Sequence, residues 1–174
     1  PIDLAVKSSY NPKTRRYYVF CADFVPFLTN YRHDLWEAEG ILPDTWDDIL
    51  RGGRRIKFFH GHPVGIALRS RPGFDFDSNM AMRSILFSFG ASVQDAEGAP
   101  ALKSKETLEA LKFARALYEQ AMIEEVLTWN NNTSNNLFML SGEGSLTLNA
   151  PSVTRSGEAK QLPVTDNIWL TRLP

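Results

Sequence analysis

The segment Ser141-Gly-Glu-Gly-Ser-Leu-Thr-Leu-Asn-Ala-Pro151 has the pattern of a turn, a short strand and the start of a helix. Its glycines and short polar residues are typical of a turn, because glycine takes positive φ at little steric cost. Residues 145–148 alternate polar and apolar side chains, which predicts a short strand with one buried face. Pro151 suits the first turn of a helix, so the strand should end at Asn149 and a helix should follow. A strand that passes into a helix N-terminus is a common ligand position in open α/β sheets.

The remaining sequence alternates strand and helix patterns, which favours an α/β chain. Strand-prone runs lie at 17–20, 27–31, 63–68 and 167–170, and helical patterns lie at 33–39, 46–50, 78–89, 105–122 and 137–140. The hydroxyls of Thr45 and Ser104 are expected to cap two of these helices. For the longest helix we expect an inner stripe of Leu108, Leu111, Ala114, Tyr118 and Ala121.

Composition narrows the function classes. The 174 residues are 43% hydrophobic, which is enough for one domain with a real core. Lys plus Arg (19) nearly balances Asp plus Glu (20), so a nucleic-acid partner is not expected. Cys21 is the single cysteine, which excludes an internal disulfide and a Cys-rich metal site. The chain starts abruptly, without an initiator Met or a signal peptide, so we expect a fragment of a longer protein.

No catalytic or metal-binding constellation is predicted. His33, His60 and His62 are the only histidines, and neither a carboxylate nor a cysteine follows at a useful metal-ligand spacing. Cys21 has no recognisable partner base in the sequence. The nucleophile elbow, the P-loop and the dinucleotide glycine fingerprint are all absent from the sequence. We therefore expect no catalytic residues, no metal and no cofactor.

Three polar clusters at element ends suggest binding chemistry instead. The segment from Asp75 to Asn79 begins a helix, the Trp129 loop offers an indole and three amides, and Asn149 and Ser152 flank another helix start. Amides, carboxylates and hydroxyls beside an aromatic face suit a polyol, which needs directional polar partners and an apolar surface. Each residue could equally serve as a cap or a turn residue. Three such clusters at element ends nevertheless favour one shared cleft.

The order of several motifs resembles a known family. The motifs are Tyr10-Asn11-Pro12-Lys13, Asn30-Tyr31-Arg32-His33-Asp34-Leu35, Pro43-Asp44-Thr45-Trp46-Asp47-Asp48, Phe87-Ser88-Phe89-Gly90-Ala91-Ser92-Val93, Ser104-Lys105-Glu106-Thr107 and the segment 141–149. Together they resemble the extracellular solute-binding proteins of bacterial ABC importers, specifically the family-1, maltose-binding-protein-like members of carbohydrate type. The resemblance covers almost the whole chain in the right order.

The resemblance implies an α/β fold that forms one lobe of a periplasmic-binding-protein-like (type II) fold, with a mixed sheet flanked by helices. Proteins of that family are usually much longer and close two lobes on a ligand by hinge motion. Residues 1–22 would be a remnant of the N-terminal lobe and the hinge approach. Residues 23–174 would be the C-terminal lobe, so this chain would hold only half of the cleft.

By position, the resemblance places the ligand contacts at four sites along the chain. They are Asp23 and Phe24 in the crossing segment, Asp77, Ser78 and Asn79 at a helix start, Trp129, Asn130 and Asn131 in the amide-rich loop, and Asn149 with Ser152. Ser152 stands where an aromatic residue often follows the proline in this family. Either Trp129 supplies the stacking surface, or the ligand is another polar solute.

The function implied is that of an extracytoplasmic component of an ABC importer, in the periplasm or on the cell surface as a lipoprotein. It would bind a sugar or oligosaccharide between its lobes and deliver it to the transmembrane permease subunits. Two alternatives stay open at this point. One is a carboxylate-dependent glycoside hydrolase that works through Asp23 and Asp77, and the other is a receptor domain that senses a solute.

Overall fold

The computed structural model describes residues 3–21, 25–69, 75–129 and 133–174. The α-helices are α1 (Asp3–Ser9), α2 (His33–Ala38), α3 (Trp46–His60), α4 (Phe76–Ser88), α5 (Lys105–Ala121), α6 (Ser134–Leu140) and α7 (Ser152–Ala159). The strands are β1 (Tyr10–Asn11), β2 (Arg16–Tyr17), β3 (Leu28–Arg32), β4 (Leu146–Asn149) and β5 (Ile168–Thr171). Short 3-10 helices span Glu124–Leu127 and Pro163–Asn167.

The main sheet has the order β4-β3-β5, and both pairings are antiparallel. The extended segment around Val64, between α3 and α4, forms parallel bridges to Met122 and to Leu146 of β4. The sheet is therefore mixed, as expected. The predicted strand at 63–68 is reduced to these bridges. Pro63 has no N–H with which to lengthen the ladder, although Val64 and Gly65 donate to the carbonyls of Ala121 and Leu146 at 2.9 and 2.8 Å.

The strand predicted at 145–148 forms, but the expectation of one solvated face was wrong. All four residues of β4 are buried, including Thr147. Helices α4 and α6 contact this strand, while β3 and the extended segment flank its edges. The hydroxyl of Thr147 is satisfied because it donates to the carbonyl of Gly65 at 2.6 Å. A hydrogen-bonded threonine can therefore occupy a buried position that the polar pattern assigned to solvent.

The predicted helix caps are confirmed. Thr45 Oγ1 accepts from the N–H of Asp48, and Ser104 Oγ accepts from the N–H of Thr107, both at 3.1 Å. Helix α3 continues through Gly52-Gly53 to His60. The glycines are needed for close packing, because a Cβ at Gly52 would overlap the ring of Trp36.

The predicted inner stripe of α5 was partly wrong. Ala114 and Ala121 are buried, but Leu108 and Leu111 are 52% and 48% exposed. The buried positions are Thr107, Ala110, Ala114, Leu117 and Ala121. Small side chains let α5 lie close to α3, where a Cβ added at Gly53 would be only 3.2 Å from Cβ of Ala121. The buried face of α5 therefore consists mainly of small residues together with Leu117, and Leu108 and Leu111 lie on the exposed side.

The strand predicted at 17–20 was also largely wrong. Only Tyr17 joins a strand, in a two-residue hairpin in which Tyr10 pairs with Tyr17. Phe20 is 93% exposed. Strand propensity reflects packing against neighbouring strands. The N–H of Tyr18 still donates to the carbonyl of Ser9 at 3.1 Å, but residues 18–20 belong to no strand. The strands predicted at 27–31 and 167–170 are confirmed as β3 and β5.

Two apolar clusters hold the elements together. The larger contains Trp36, Ile49, Ile56, Ile66, Ile85 and Leu117, and the smaller contains Met139, Leu140, Val153 and Ile168. The smaller cluster fixes α6 and α7 beside the end of β4, which is where the polar residues discussed next meet. Among the described residues, no helix has the length and apolar character needed to cross a membrane.

Candidate functional site

The structure connects three of the predicted site residues through side-chain hydrogen bonds. Asp77 lies in the first turn of α4, Asn149 ends β4 and Ser152 begins α7. Asn135 and Asn136, at the start of α6, link them. We call these five residues the Asp77 network. It gathers the starts of three helices around one strand end.

Asp77 is the buried end of the network, with 7% of its surface exposed. Its Oδ2 accepts from Asn135 Nδ2 at 3.0 Å and from Asn149 Nδ2 at 3.5 Å. Burial raises the pKa of Asp77 above its ordinary value, the hydrogen bond from Asn135 opposes this, and the nearby charge of Asp75 raises the pKa further. The network therefore holds a desolvated hydrogen-bond acceptor in a fixed position.

From Asn149 the network runs outward. Asn149 Nδ2 donates to Asn136 Oδ1 at 2.5 Å, and Asn136 Nδ2 donates to Ser152 Oγ at 3.3 Å. Asn149 is also fixed by its own backbone, since its Oδ1 accepts from the N–H of Ala150 at 2.6 Å. Asn149 is buried, Asn136 is half-buried and Ser152 is exposed. The network thus leads from the protein interior to the surface.

The two residues that follow Asp77 have different surroundings. The Ser78 hydroxyl donates to the Asp75 carboxylate and accepts from the N–H of Arg69 at 3.0 Å. Arg69 Nε lies 3.8 Å from Asp75 Oδ2. Ser78 therefore helps to close the helix start, while Asn79 is exposed on α4.

Trp129 is half-buried and packs partly on the core. Its ring is tilted against Phe138, with 5.7 Å between the ring centroids. The benzo edge of the indole also covers Gly65, where an added Cβ would be 3.1 Å from the Trp129 ring. The other predicted contacts, Asp23, Phe24, Asn130 and Asn131, lie outside the described residues.

Sequence reasoning missed Asn135 and Asn136 as individual site residues. The signal was present in the amide-rich run that ends at Asn136, next to a short helix. A third missed residue is Asn30 on β3, whose Nδ2 donates to the carbonyl of Asn149 at 3.1 Å. Asn30 lies in the middle of a strand pattern, where a buried amide is not expected from sequence.

The Asp77 network offers hydrogen-bond donors and acceptors, and the other candidate features of the described residues are weaker. His60 and His62 are engaged elsewhere, with Glu39 Oε1 at 2.8 Å and the carbonyl of Glu143 at 3.1 Å. Within the described ranges, no three His, Cys, Asp or Glu side chains come together as a metal site. A wide groove between α3 and α5 is lined by charged side chains and two exposed phenylalanines, but contains none of the Asp77 network. The network is therefore the stronger candidate for binding a polar solute.

Comparison with known proteins agrees with this architecture. T. maritima MalE3 with bound maltose superposes with a TM-score of 0.73 and 22% identity, over 99% of this chain and 46% of that one. A solute-binding protein of an ABC transporter from Agrobacterium radiobacter K84, in complex with ribitol, gives a TM-score of 0.78 and 18% identity, over 98% and 42%. At these identities the similarity establishes the fold.

Sequence comparison identifies the family. A binding protein of Brucella abortus is 24% identical over 124 residues, which are 70% of this chain and 29% of the relative. The chain thus spans less than half the length of these relatives. The family model described as bacterial extracellular solute-binding protein matches residues 2–174. This chain belongs to the bacterial extracellular solute-binding proteins.

Proposed function

We propose that the complete protein is the extracytoplasmic solute-binding component of an ABC importer, located in the periplasm or anchored at the cell surface. It binds a sugar or a related polyol between two lobes and delivers it to the transmembrane permease subunits. The observation that carries this proposal is the Asp77 network, which joins polar side chains from three helix starts and a strand end. The maltose and ribitol bound by the structural relatives support the same solute class.

In this proposal residues 23–174 form the C-terminal lobe, and residues 1–22 belong to the end of the N-terminal lobe and the hinge approach. The Asp77 network lies on the cleft side, and the remainder of the N-terminal lobe closes over the solute by hinge motion. Asp23 and Phe24 in the crossing segment, together with Asn130 and Asn131, complete the contacts from this chain. Ser78 supports the helix start, and Asn79 and Trp129 face the cleft beside it.

The chemistry of the network suits hydroxyl groups. A sugar hydroxyl can donate to the Asp77 carboxylate while it accepts from an amide, such as that of Asn136. The hydrogen bonds between the network residues hold these groups in place before the solute arrives, which lowers the ordering cost of binding. The exposed hydroxyl of Ser152 extends the polar surface toward solvent.

We propose binding without catalysis. Glycoside hydrolysis needs two carboxyl groups placed on either side of the scissile bond. The Asp77 carboxylate is held by two amides, and the Asp75 carboxylate is engaged by Ser78 and Arg69. Asp77 thus has the surroundings of a fixed hydrogen-bond acceptor.

A thermal-shift screen of the complete protein tests the proposal. Sugars, polyols, amino acids and polyamines are compared at equal concentration. A solute present at about 100 times its Kd should stabilise the folded protein by roughly 2.7 kcal/mol. Stabilisation by a sugar or polyol is the expected result. Failure of every sugar and polyol, together with a clear response to an amino acid or polyamine, would overturn the proposed solute class.

A further inference from the structure

Asn30 is a fully buried amide on the middle strand of the main sheet. It lies in β3, between β4 and β5, and none of its surface is exposed. Its side-chain Oδ1 is buried and accepts no hydrogen bond from any residue of the described ranges. A buried acceptor without a partner destabilises the folded protein, and asparagine is also disfavoured in strands. Stability therefore does not account for an asparagine at this position.

The amide nitrogen of Asn30, in contrast, makes two contacts at one point of the sheet. Nδ2 donates to the carbonyl of Asn149 at 3.1 Å and to the carbonyl of Leu28 at 3.4 Å. Leu28 and Asn149 are paired with each other and form the last rung of the β3–β4 ladder. One side chain thus bridges both carbonyls of the terminal rung. We call this arrangement the Asn30 clamp.

The Asn30 clamp holds the residue at which the Asp77 network passes from the interior toward the surface. The side chain of Asn149 donates to Asp77 at 3.5 Å and to Asn136 at 2.5 Å. Its Oδ1 accepts from the N–H of Ala150 at 2.6 Å. The ends of secondary-structure elements open more easily than their interiors. The clamp therefore fixes the strand end from which the Asn149 side chain projects.

We infer that Asn30 is a positioning residue of the solute site, which orders Asn149 through the terminal rung without touching the solute. This inference rests on the proposed function. Groups that are ordered before a ligand arrives lower the entropy cost of binding, so a side chain that fixes Asn149 raises the affinity for the solute. The unpaired Oδ1 of Asn30 is the stability that the protein loses in exchange.

Ser145, directly before β4, offers a matched control. It is also fully buried, and its Oγ likewise has no hydrogen-bond partner within the described part of the chain. It lies at the opposite end of β4 from Asn149, so it takes no part in the clamp. Ser145→Ala therefore removes a buried unpaired oxygen and leaves the terminal rung intact.

The test combines calorimetric titration with maltose, D-xylose and ribitol, thermal unfolding, and amide hydrogen exchange of the ligand-free complete protein. Asn30→Leu keeps a side chain of similar shape and removes both of its polar ends. It should bind the tightest of the three probes about fivefold more weakly than wild type does, at a Tm that does not fall. The Ala150 amide should exchange faster in this variant. Ser145→Ala should change neither the affinity nor that exchange rate.

Asn30→Val is the second variant, with a smaller side chain, for the case that leucine overpacks the site and lowers the Tm. Wild-type affinity and wild-type Ala150 exchange in either folded variant would overturn the inference and leave the proposed function standing. An equal loss of affinity in Ser145→Ala, or a loss confined to variants with a lowered Tm, would also overturn it. If the wild-type protein binds none of the three probes, the proposed solute class fails and the inference fails with it.

Discussion

Asn135 on α6 donates its side-chain amide to the carboxylate of Asp77 on α4, with 3.0 Å between Nδ2 and Oδ2. The two residues are 58 positions apart in the chain. Asn135 also donates to the carbonyl of Leu148 at 3.4 Å, so one amide joins both helices to strand β4. This contact joins the cluster at the start of α4 to the end of β4 and, through Asn149 and Asn136, to Ser152. Most of the predictions below concern these residues or the packing beneath them.

Replacement of Asp77 by Asn should separate binding from stability. The variant keeps one oxygen to accept from Asn135 but loses the charge, and a hydrogen bond to a charged group contributes about 1.5–3 kcal/mol. Titration calorimetry on the complete protein should therefore show sugar affinity reduced roughly 10- to 150-fold. Unchanged affinity would exclude Asp77 as a solute contact.

The same variant has an expected pH dependence. The pKa of Asp77 is raised by burial, so the folded state holds this proton more tightly than the unfolded state does. In the wild-type protein, the contribution of Asp77 to stability falls as the pH rises from the ordinary pKa of 3.8 through the raised folded value. Asp77→Asn should therefore be more stable relative to wild type at pH 7 than at pH 3. Urea denaturation measures the free energy of unfolding of both proteins at both pH values. The same difference between variant and wild type at pH 3 and at pH 7 would refute this prediction.

Removal of the Asn136 side chain should damage the outer half of the network. Asn136→Ala leaves Asn149 Nδ2 without its 2.5 Å acceptor and Ser152 without its donor. We expect about 1 kcal/mol of lost stability and about tenfold weaker sugar binding. Asn167→Ala is the matched control, because Asn167 is an exposed amide at the end of a 3-10 helix. Equal effects of the two substitutions in denaturation and titration would show that Asn136 has no special role.

Glu39 should contribute an acid-sensitive part of the stability. Its carboxylate accepts from Arg55 Nε at 2.5 Å and from His60 at 2.8 Å, and these contacts lower the pKa of Glu39 below its ordinary value of 4.5. Stability from such a group is present above pH 4.5 and is lost as the pH falls through the lower folded pKa. Glu39→Gln should therefore lower the Tm at pH 7 and converge with wild type in acid.

A control for this acid effect is available on α5. Glu119 pairs with Arg115 at 2.7 Å but is half exposed, and such surface pairs contribute little. Glu119→Gln should leave the Tm nearly unchanged at every pH. If both substitutions shift the Tm equally, the Glu39 cluster has no distinct role.

Gly144 makes room for Phe138, so Gly144→Ala should overpack the core. A Cβ at Gly144 would overlap ring carbons Cδ1 and Cε1 of Phe138, whose ring also lies against Gly65. Overpacking of this kind costs about 1–3 kcal/mol. The double variant with Phe138→Leu should be less destabilised than the sum of the two single changes. Simple additivity in denaturant titrations would contradict this account.

Local chemistry predicted the capped starts of α3 and α5, whereas α3 ends at His60 and not at residue 50, and α6 begins at Ser134 and not at residue 137. Tertiary packing explains most of the errors. The caps at Thr45 and Ser104 depend on residues within three positions, and Gly142 takes the expected positive φ of 84°. Gly144, in contrast, has a steric role toward Phe138 that no local pattern reveals. The exposure of Leu108 and Leu111 on α5 likewise depends on the close packing of α5 against α3, which the local sequence does not reveal.

The candidate site was predictable only in part. Asp77, Asn149 and Ser152 were selected because polar residues at element ends often bind ligands. Their connection depends on Asn135 and Asn136, which come from an amide run whose individual roles are set by the position of α6. The burial of Asp77 could not be predicted from an acidic residue in a first helical turn, where exposure and dipole stabilisation are the usual expectation.

Hydrogen–deuterium exchange of the complete protein tests the central claim most directly, with and without a saturating amount of the sugar that stabilises it most. If the Asp77 network is the solute site, the sugar should slow amide exchange at residues 75–79, 134–137 and 149–153. Amide exchange in the residues that line the groove between α3 and α5 should be unchanged by the sugar. Slower exchange confined to that groove, or unchanged exchange at all three segments of the network, would contradict the account.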